Sequence, residues 1–182
     1  MLPRTPVVAA AAAVLLCVSS SVASVSPAAA SRVQARLAVR ALTSLDAQLV
    51  ARINAVRAAR GLPRLRCSSR LRAAAAAHSR EMVQRGYFEH TSADGQSMVA
   101  RVKRFYRARA AAFGEALLWD SADVKADAAV TAWLSDSAHR AILLDPHFRE
   151  IGVSSVYGNA VGGAYGGSPA TVITADFGAH AR

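Results

Sequence analysis

The sequence predicts a single α+β domain in which four helices precede a small C-terminal sheet. Two patterns carry that prediction. Between residues 45 and 144, apolar residues recur at helical spacing in segments separated by Gly, Pro, Ser and Asp. After residue 150 the pattern changes to β-branched, partly alternating runs on either side of a Gly-rich connector. The chain has 182 residues, 53% of them apolar, which suits one domain with a sizeable core. Aromatic residues make up only 6%, so the core must rest on aliphatic and alanine packing.

The chain opens with a targeting pattern. Arg4 precedes a continuous apolar run from Val7 to Val18, followed by small residues. These are the charged, apolar and cleavage regions of a secretory signal peptide over residues 1–30, with cleavage after Ala23 or Ala30. The run is too short for a comfortable membrane span, which needs about 20 residues. Leu16 before Cys17 argues against lipidation, so the mature protein is expected to be secreted without a transmembrane anchor. Residues 31–43 form a basic leader, and the domain occupies 44–182.

The first helix is expected over Leu45–Arg60, capped by Ser44. Leu45, Leu49, Ile53 and Val56 share one face, and Gly61 and Pro63 end it. Asn54 and Arg57, three apart, form either a solvated face or a structural hydrogen-bond network. Cys67 follows. If Cys17 leaves with the signal peptide, Cys67 has no intramolecular partner. It is a buried small residue, a free thiol or an intermolecular link, with burial the default.

The second helix is expected over Arg70–Arg85, capped by Ser68 or Ser69 and ended by Gly86. His78 lies on its apolar face with Leu71, Ala75 and Met82, and reads as a core histidine. The next stretch, Tyr87 to Gly95, holds Glu89, His90, Thr91 and Ser92, more chemistry than a connector requires. A third helix, Met98–Arg109, follows Ser97. It turns Met98, Val102 and Phe105 or Tyr106 inward and Arg101, Lys103, Arg104, Arg107 and Arg109 outward. The fourth, Ala122–Leu134, is capped by Asp120, and a short helix over Ala138–Leu144 is capped by Asp136. Ile151–Tyr157 and Thr171–Phe177 complete the chain as a hairpin.

Formal net charge is +10, from 22 basic and 12 acidic residues. The basic excess precedes Phe113, and acidic residues outnumber basic ones after it. Such asymmetry suits anionic polymers or lipid head groups, or simply a solvated surface. Secretion and the lack of a nucleic-acid motif argue against a nucleic-acid partner.

An ordered set of short motifs then resembles the bacterial branch of the CAP superfamily. CAP stands for cysteine-rich secretory, antigen 5 and pathogenesis-related proteins, and the domain is also called SCP. The motifs are Asn54-x-x-Arg57, Ala77-His78-Ser79-Arg80-Glu81-Met82, Phe88-x-His90-x-Ser92-x-Asp94-Gly95, Gly114-Glu115, Ala132-Trp133, His139-Arg140, Phe148-x-Glu150-Ile151-Gly152-Val153 and Asp176-Phe177-Gly178. The resemblance covers about Leu45 to Gly178. It implies an α–β–α sandwich around a small antiparallel sheet, with an additional strand near Glu115–Trp119. It also implies a cleft lined by His90, Glu115 and His139, with Asp136 as the nearest second acid. In this family such a cleft can hold a divalent metal such as zinc. Three positions depart from the pattern. Ala116 and Ile142 stand where asparagines are usual, and Asp136 is shorter than the usual glutamate and is placed to cap a helix.

Two imidazoles and one carboxylate permit a buried hydrogen-bond network, a metal-binding cleft or a catalytic site. No His-Glu-x-x-His helix is present, and Ser92 or Thr91 near His90 lacks an identifiable third partner. The expectation is therefore a binding module for a lipid, a cell-wall polymer or fragment, or an extracellular protein. The alternative is a metal-dependent hydrolase using His90, Glu115 and His139.

Overall fold

A computed structural model describes residues 45–106, 110–120, 123–159 and 163–180. The signal peptide, the basic leader, the Ser44 cap, Arg107 and Arg109 lie outside the described residues.

The described chain forms α1 (45–58), β1 (Arg66–Cys67), α2 (Ser69–Arg85), α3 (Met98–Phe105) and β2 (Ala110–Asp120). It continues with α4 (Ala126–Ser135), α5 (Ser137–Leu143), β3 (Glu150–Asn159) and β4 (Pro169–His180). The sheet order is β1-β3-β4-β2. Strands β2, β3 and β4 are antiparallel, as expected, and β1 adds a two-residue parallel pair through Arg66↔Glu150 and Cys67↔Ile151.

Strand alternation separates two cores. Ala116, Ile173, Ala175 and Phe177 face α1, α4 and α5, where Leu49, Ile53, Val130 and Trp133 are buried. Leu117 and Val172 face α2, meeting Met82 and Val83. Leu71 and Ala74 of α2 pack with Val102 of α3. The result is the α–β–α sandwich that the resemblance implies.

Two polar pins hold the layers together. Asn54 accepts from the Leu65 amide at 2.7 Å and donates to the Leu65 carbonyl at 3.0 Å. Arg57 is completely buried and donates to the carbonyls of Pro63, Leu143 and Asp145 at 2.8–3.0 Å. Of the two readings of this pair, the hydrogen-bond network is the one realised.

Helix α2 starts at Ser69 under a Ser68 cap, and Gly86 adopts φ 70° at its C-terminus, where a left-handed residue is required. The helix is pressed against β3. A Cβ on Gly152 would stand 2.0 Å from the Arg72 amide nitrogen, so only glycine permits this approach.

Four expectations are corrected. Helix α3 stops at Phe105, because the Tyr106 hydroxyl donates to Glu150 at 2.6 Å and its ring packs edge-on against Phe113. Arg101 points inward and is 4% exposed, because its guanidinium bonds Ser92 and Glu115. Asp120 does not cap α4; it pairs with Thr171 as the last residue of β2, and the cap position falls to Lys125 without a side-chain bond. Cys67 is exposed, because the two-residue strand that carries it is the sheet's outer edge.

Candidate functional site

The loop after α2 is fixed from three sides. His78 Nε2 lies 2.9 Å from the Glu89 carbonyl, which can only accept, so Nε2 carries the proton. Burial, reinforced by nearby Arg101, pushes the His78 pKa down and keeps the ring neutral. The Tyr87 hydroxyl donates to Glu81 at 2.8 Å, and the Tyr165 hydroxyl donates to the Tyr87 carbonyl at 2.6 Å. From α3, Arg101 Nη1 donates to the His90 carbonyl and to Ser92 Oγ, both at 3.0 Å. Ser92 is thereby committed to Arg101, and among the described residues no hydroxyl is bonded to the His90 ring.

Held this way, His90 meets Glu115 from β2. Nδ1 lies 2.8 Å from Glu115 Oε1. A carboxylate acceptor fixes Nδ1 as the donor, and in the neutral ring this leaves Nε2 as an acceptor. Arg101 Nη2 bonds the other oxygen, Glu115 Oε2. Glu115 is 2% exposed. Burial alone would raise its pKa, but the His90 hydrogen bond and the Arg101 guanidinium outweigh burial and hold it below the usual carboxylate range.

Beneath this pair lies Asp176, directly opposite Glu115 in the β2–β4 register and completely buried. No donor reaches either of its oxygens among the described residues. Its polar neighbour is the Glu115 carboxylate, itself an acceptor. An ionised carboxylate with no donor is costly in such a site, which favours the protonated form of Asp176. Burial and the Glu115 charge both push its pKa well up.

His139 stands across the opening, in the first turn of α5. His90, Glu115 and His139 line one cleft of about 440 Å³, whose apolar walls include Met98, Phe113, Ile142 and Phe148. Asp136 does not line it. Its carboxylate accepts from the His139 amide at 2.8 Å, capping α5, and lies 3.1 Å from His139 Nδ1. The amide hydrogen bond holds the Asp136 pKa below its ordinary value. Ile142, where the resemblance implies an asparagine, stands on the cleft wall itself. Ala116 does not line the cleft; it is buried in the core beneath α1, α4 and α5.

A divalent metal does not fit this arrangement. Both Glu115 oxygens are engaged, one of them by a buried guanidinium whose charge repels a dication. Among the described residues, no three His, Cys, Asp or Glu side chains are grouped to hold a metal ion. The chemistry left to the cleft is the oriented imidazole of His90, facing His139 across an apolar wall.

Arg101 and Asp176 were not among the expected site residues. The signal for Arg101 was its spacing: Met98, Arg101, Val102 and Phe105 form one helical stripe, and a basic residue on such a stripe needs a buried partner. The signal for Asp176 was a single acid in an apolar run that becomes a central strand.

No curated protein matches the chain by sequence. Three solved structures share its fold. An extracellular protein containing an SCP domain from Bacillus anthracis superposes with a TM-score of 0.62 at 24% identity, over 76% of this chain and 41% of that one. An outer surface protein from Borrelia burgdorferi gives 0.58 at 18% identity, over 73% and 90%. A cysteine-rich secretory protein from Staphylococcus aureus gives 0.56 at 16% identity, over 75% and 38%. The chain thus spans well under half of the Bacillus and Staphylococcus proteins. The model of the cysteine-rich secretory protein family matches residues 50–177, and these residues carry the whole cleft and its buried network, so the chain belongs to the CAP family.

Proposed function

We propose that this chain is a secreted, non-enzymatic binding module whose cleft takes a ligand with an apolar part and a hydrogen-bond donor. A lipid or a cell-wall fragment meets that description, as does a side chain of an extracellular protein. The observation that carries the reading is the Glu115–His90 pair: Glu115 engages Nδ1, which leaves Nε2 as an acceptor beside Met98, Phe113 and Ile142. The cleft's size is in the usual range for small-ligand sites, roughly 300–1,000 Å³. Secretion rests on the signal pattern of residues 1–30; no described helix is long and apolar enough to cross a membrane.

The metal-dependent hydrolase reading is not favoured. It requires Glu115 as a ligand, and Arg101 already holds that carboxylate. A metal-free hydrolase would need a nucleophile and oxyanion donors beside His90, and Ser92 is turned to Arg101.

The test is native mass spectrometry of the full chain after incubation with a soluble wall digest and, separately, with lipid micelles. His90→Ala removes the acceptor, and Ile142→Trp fills the cleft without touching the buried charges. The expected result is a ligand retained by the wild type and lost in both folded variants. Retention unchanged in both, or no ligand retained by the wild type, contradicts the proposal.

A further inference from the structure

A second concave surface lies at the opposite edge of the sheet from Glu115. Strand β1 covers only the start of β3. Beyond it, two adjoining hollows of about 660 and 510 Å³ share Asp46, Ser69 and Arg72, and together run from Cys67 to Tyr157. One wall is a stripe of α2 bearing Ser69, Arg72 and Arg80; the other is β3 with Ser154, Ser155 and Tyr157. The walls cannot drift apart easily, because Gly152 of β3 is packed onto the Arg72 backbone.

The basic charge of this groove is only partly offset within it. Arg52, Arg66, Arg85 and Arg101 each form an ion pair, whereas Arg72 and Arg80 form none among the described residues. Asp46 is the acid in the groove. Its carboxylate accepts from the Ser155 amide at 2.8 Å and from Ser155 Oγ at 2.6 Å, and burial pushes its pKa up. It offsets part of the charge near Arg72 and leaves the Arg80 end the more positive. Tyr157, 41% exposed, is among the few large apolar side chains left open.

Arg72 and Arg80 are eight residues apart on one helix, so their Cα atoms are separated by about 12 Å along the groove. A single small anion does not span that distance, but a chain bearing repeated anionic groups does. Guanidinium forks match phosphate geometry. The site is concave, so a flat bilayer does not enter it, and Asp46 at the middle of the β3 edge obstructs an added peptide strand.

We propose that this groove binds a linear polyanion of phosphodiester-linked polyol or sugar units. Arg72 and Arg80 hold phosphates of one chain, the Ser69 and Ser154 hydroxyls donate to its oxygens, and Tyr157 packs against its backbone. This site is separate from the His90 cleft and does not depend on the function of that cleft.

The test is calorimetric titration of the full chain with soluble poly(glycerol phosphate) at low and high salt. The variants are Arg72→Ala/Arg80→Ala and a charge-matched control on α3, Lys103→Ala/Arg104→Ala. Loss of two charge-assisted contacts should weaken binding about tenfold or more. The control should change it by no more than about twofold, the effect of general surface charge. Equal losses in both variants would reduce the site to bulk charge and overturn the proposal. So would the absence of polymer binding at low salt, or binding to phosphatidylglycerol vesicles in preference to the polymer.

Discussion

Asp176 stands directly across from Glu115 on paired strands, buried with no donor to either oxygen among the described residues, and burial and the Glu115 charge both push its pKa well up. Arg101 neutralises the Glu115 charge. The cluster is therefore balanced: one cation, one anion, one neutral acid and the neutral ring of His78. His90 is held at its surface by an anion that water does not reach.

Removing the cation should be costly. Arg101→Met keeps much of the side-chain volume but leaves Glu115 buried and unpaired, and frees the His90 carbonyl and Ser92 Oγ. Breaking a buried pair in this way costs about 3–5 kcal/mol. Urea unfolding of wild type and variant gives the difference directly. A loss under about 1 kcal/mol, the range of an exposed ion pair, would show that water screens the site.

Asp176 predicts a pH dependence of definite sign. Its folded pKa is raised, so the folded state keeps a proton that the unfolded chain releases above the ordinary value of 3.8. Stability from this group is complete below that value and falls as pH rises toward the folded pKa. Asp176→Asn mimics the protonated acid and cannot titrate. Its stability relative to wild type should therefore climb with pH by about 1.4 kcal/mol per unit across that window. The two stability profiles, measured from about pH 4 to 8, should diverge. Parallel profiles would mean that Asp176 is ionised in the folded protein.

Arg57 governs the cleft from a distance. It binds the carbonyls of Leu143 and Asp145, and so ties α1 to the end of α5, next to Ile142 and Phe148 on the cleft wall. Arg57→Ala should cost about 3 kcal/mol or more, since several buried carbonyls lose a charged donor. Hydrogen exchange should rise first over residues 139–149. Uniform protection across that segment would show that the pin is redundant.

Much of this architecture was legible in the chain. The α2 cap, the Gly86 stop and the inward His78 followed from periodicity, and the α5 cap by Asp136 from local spacing. Strand β1 was not legible, because two residues without alternation carry no periodic signal. Of the expected site residues, His90, Glu115 and His139 share one cleft, and Asp136 stays outside it as a cap. Arg101 was misplaced because α3 carries several basic residues, and a rule that puts charge outside cannot single out the one that pairs inward. Asp176 and Glu115 are 61 positions apart in the chain, and only the strand register brings them together.

Arg101, rather than a metal ion, neutralises the Glu115 carboxylate beneath His90. Calorimetric titration of the purified full chain with zinc, beside His90→Ala, tests it most directly. No stoichiometric heat that depends on His90 is expected. One zinc per chain in the wild type, lost in His90→Ala while the fold is retained, would contradict it.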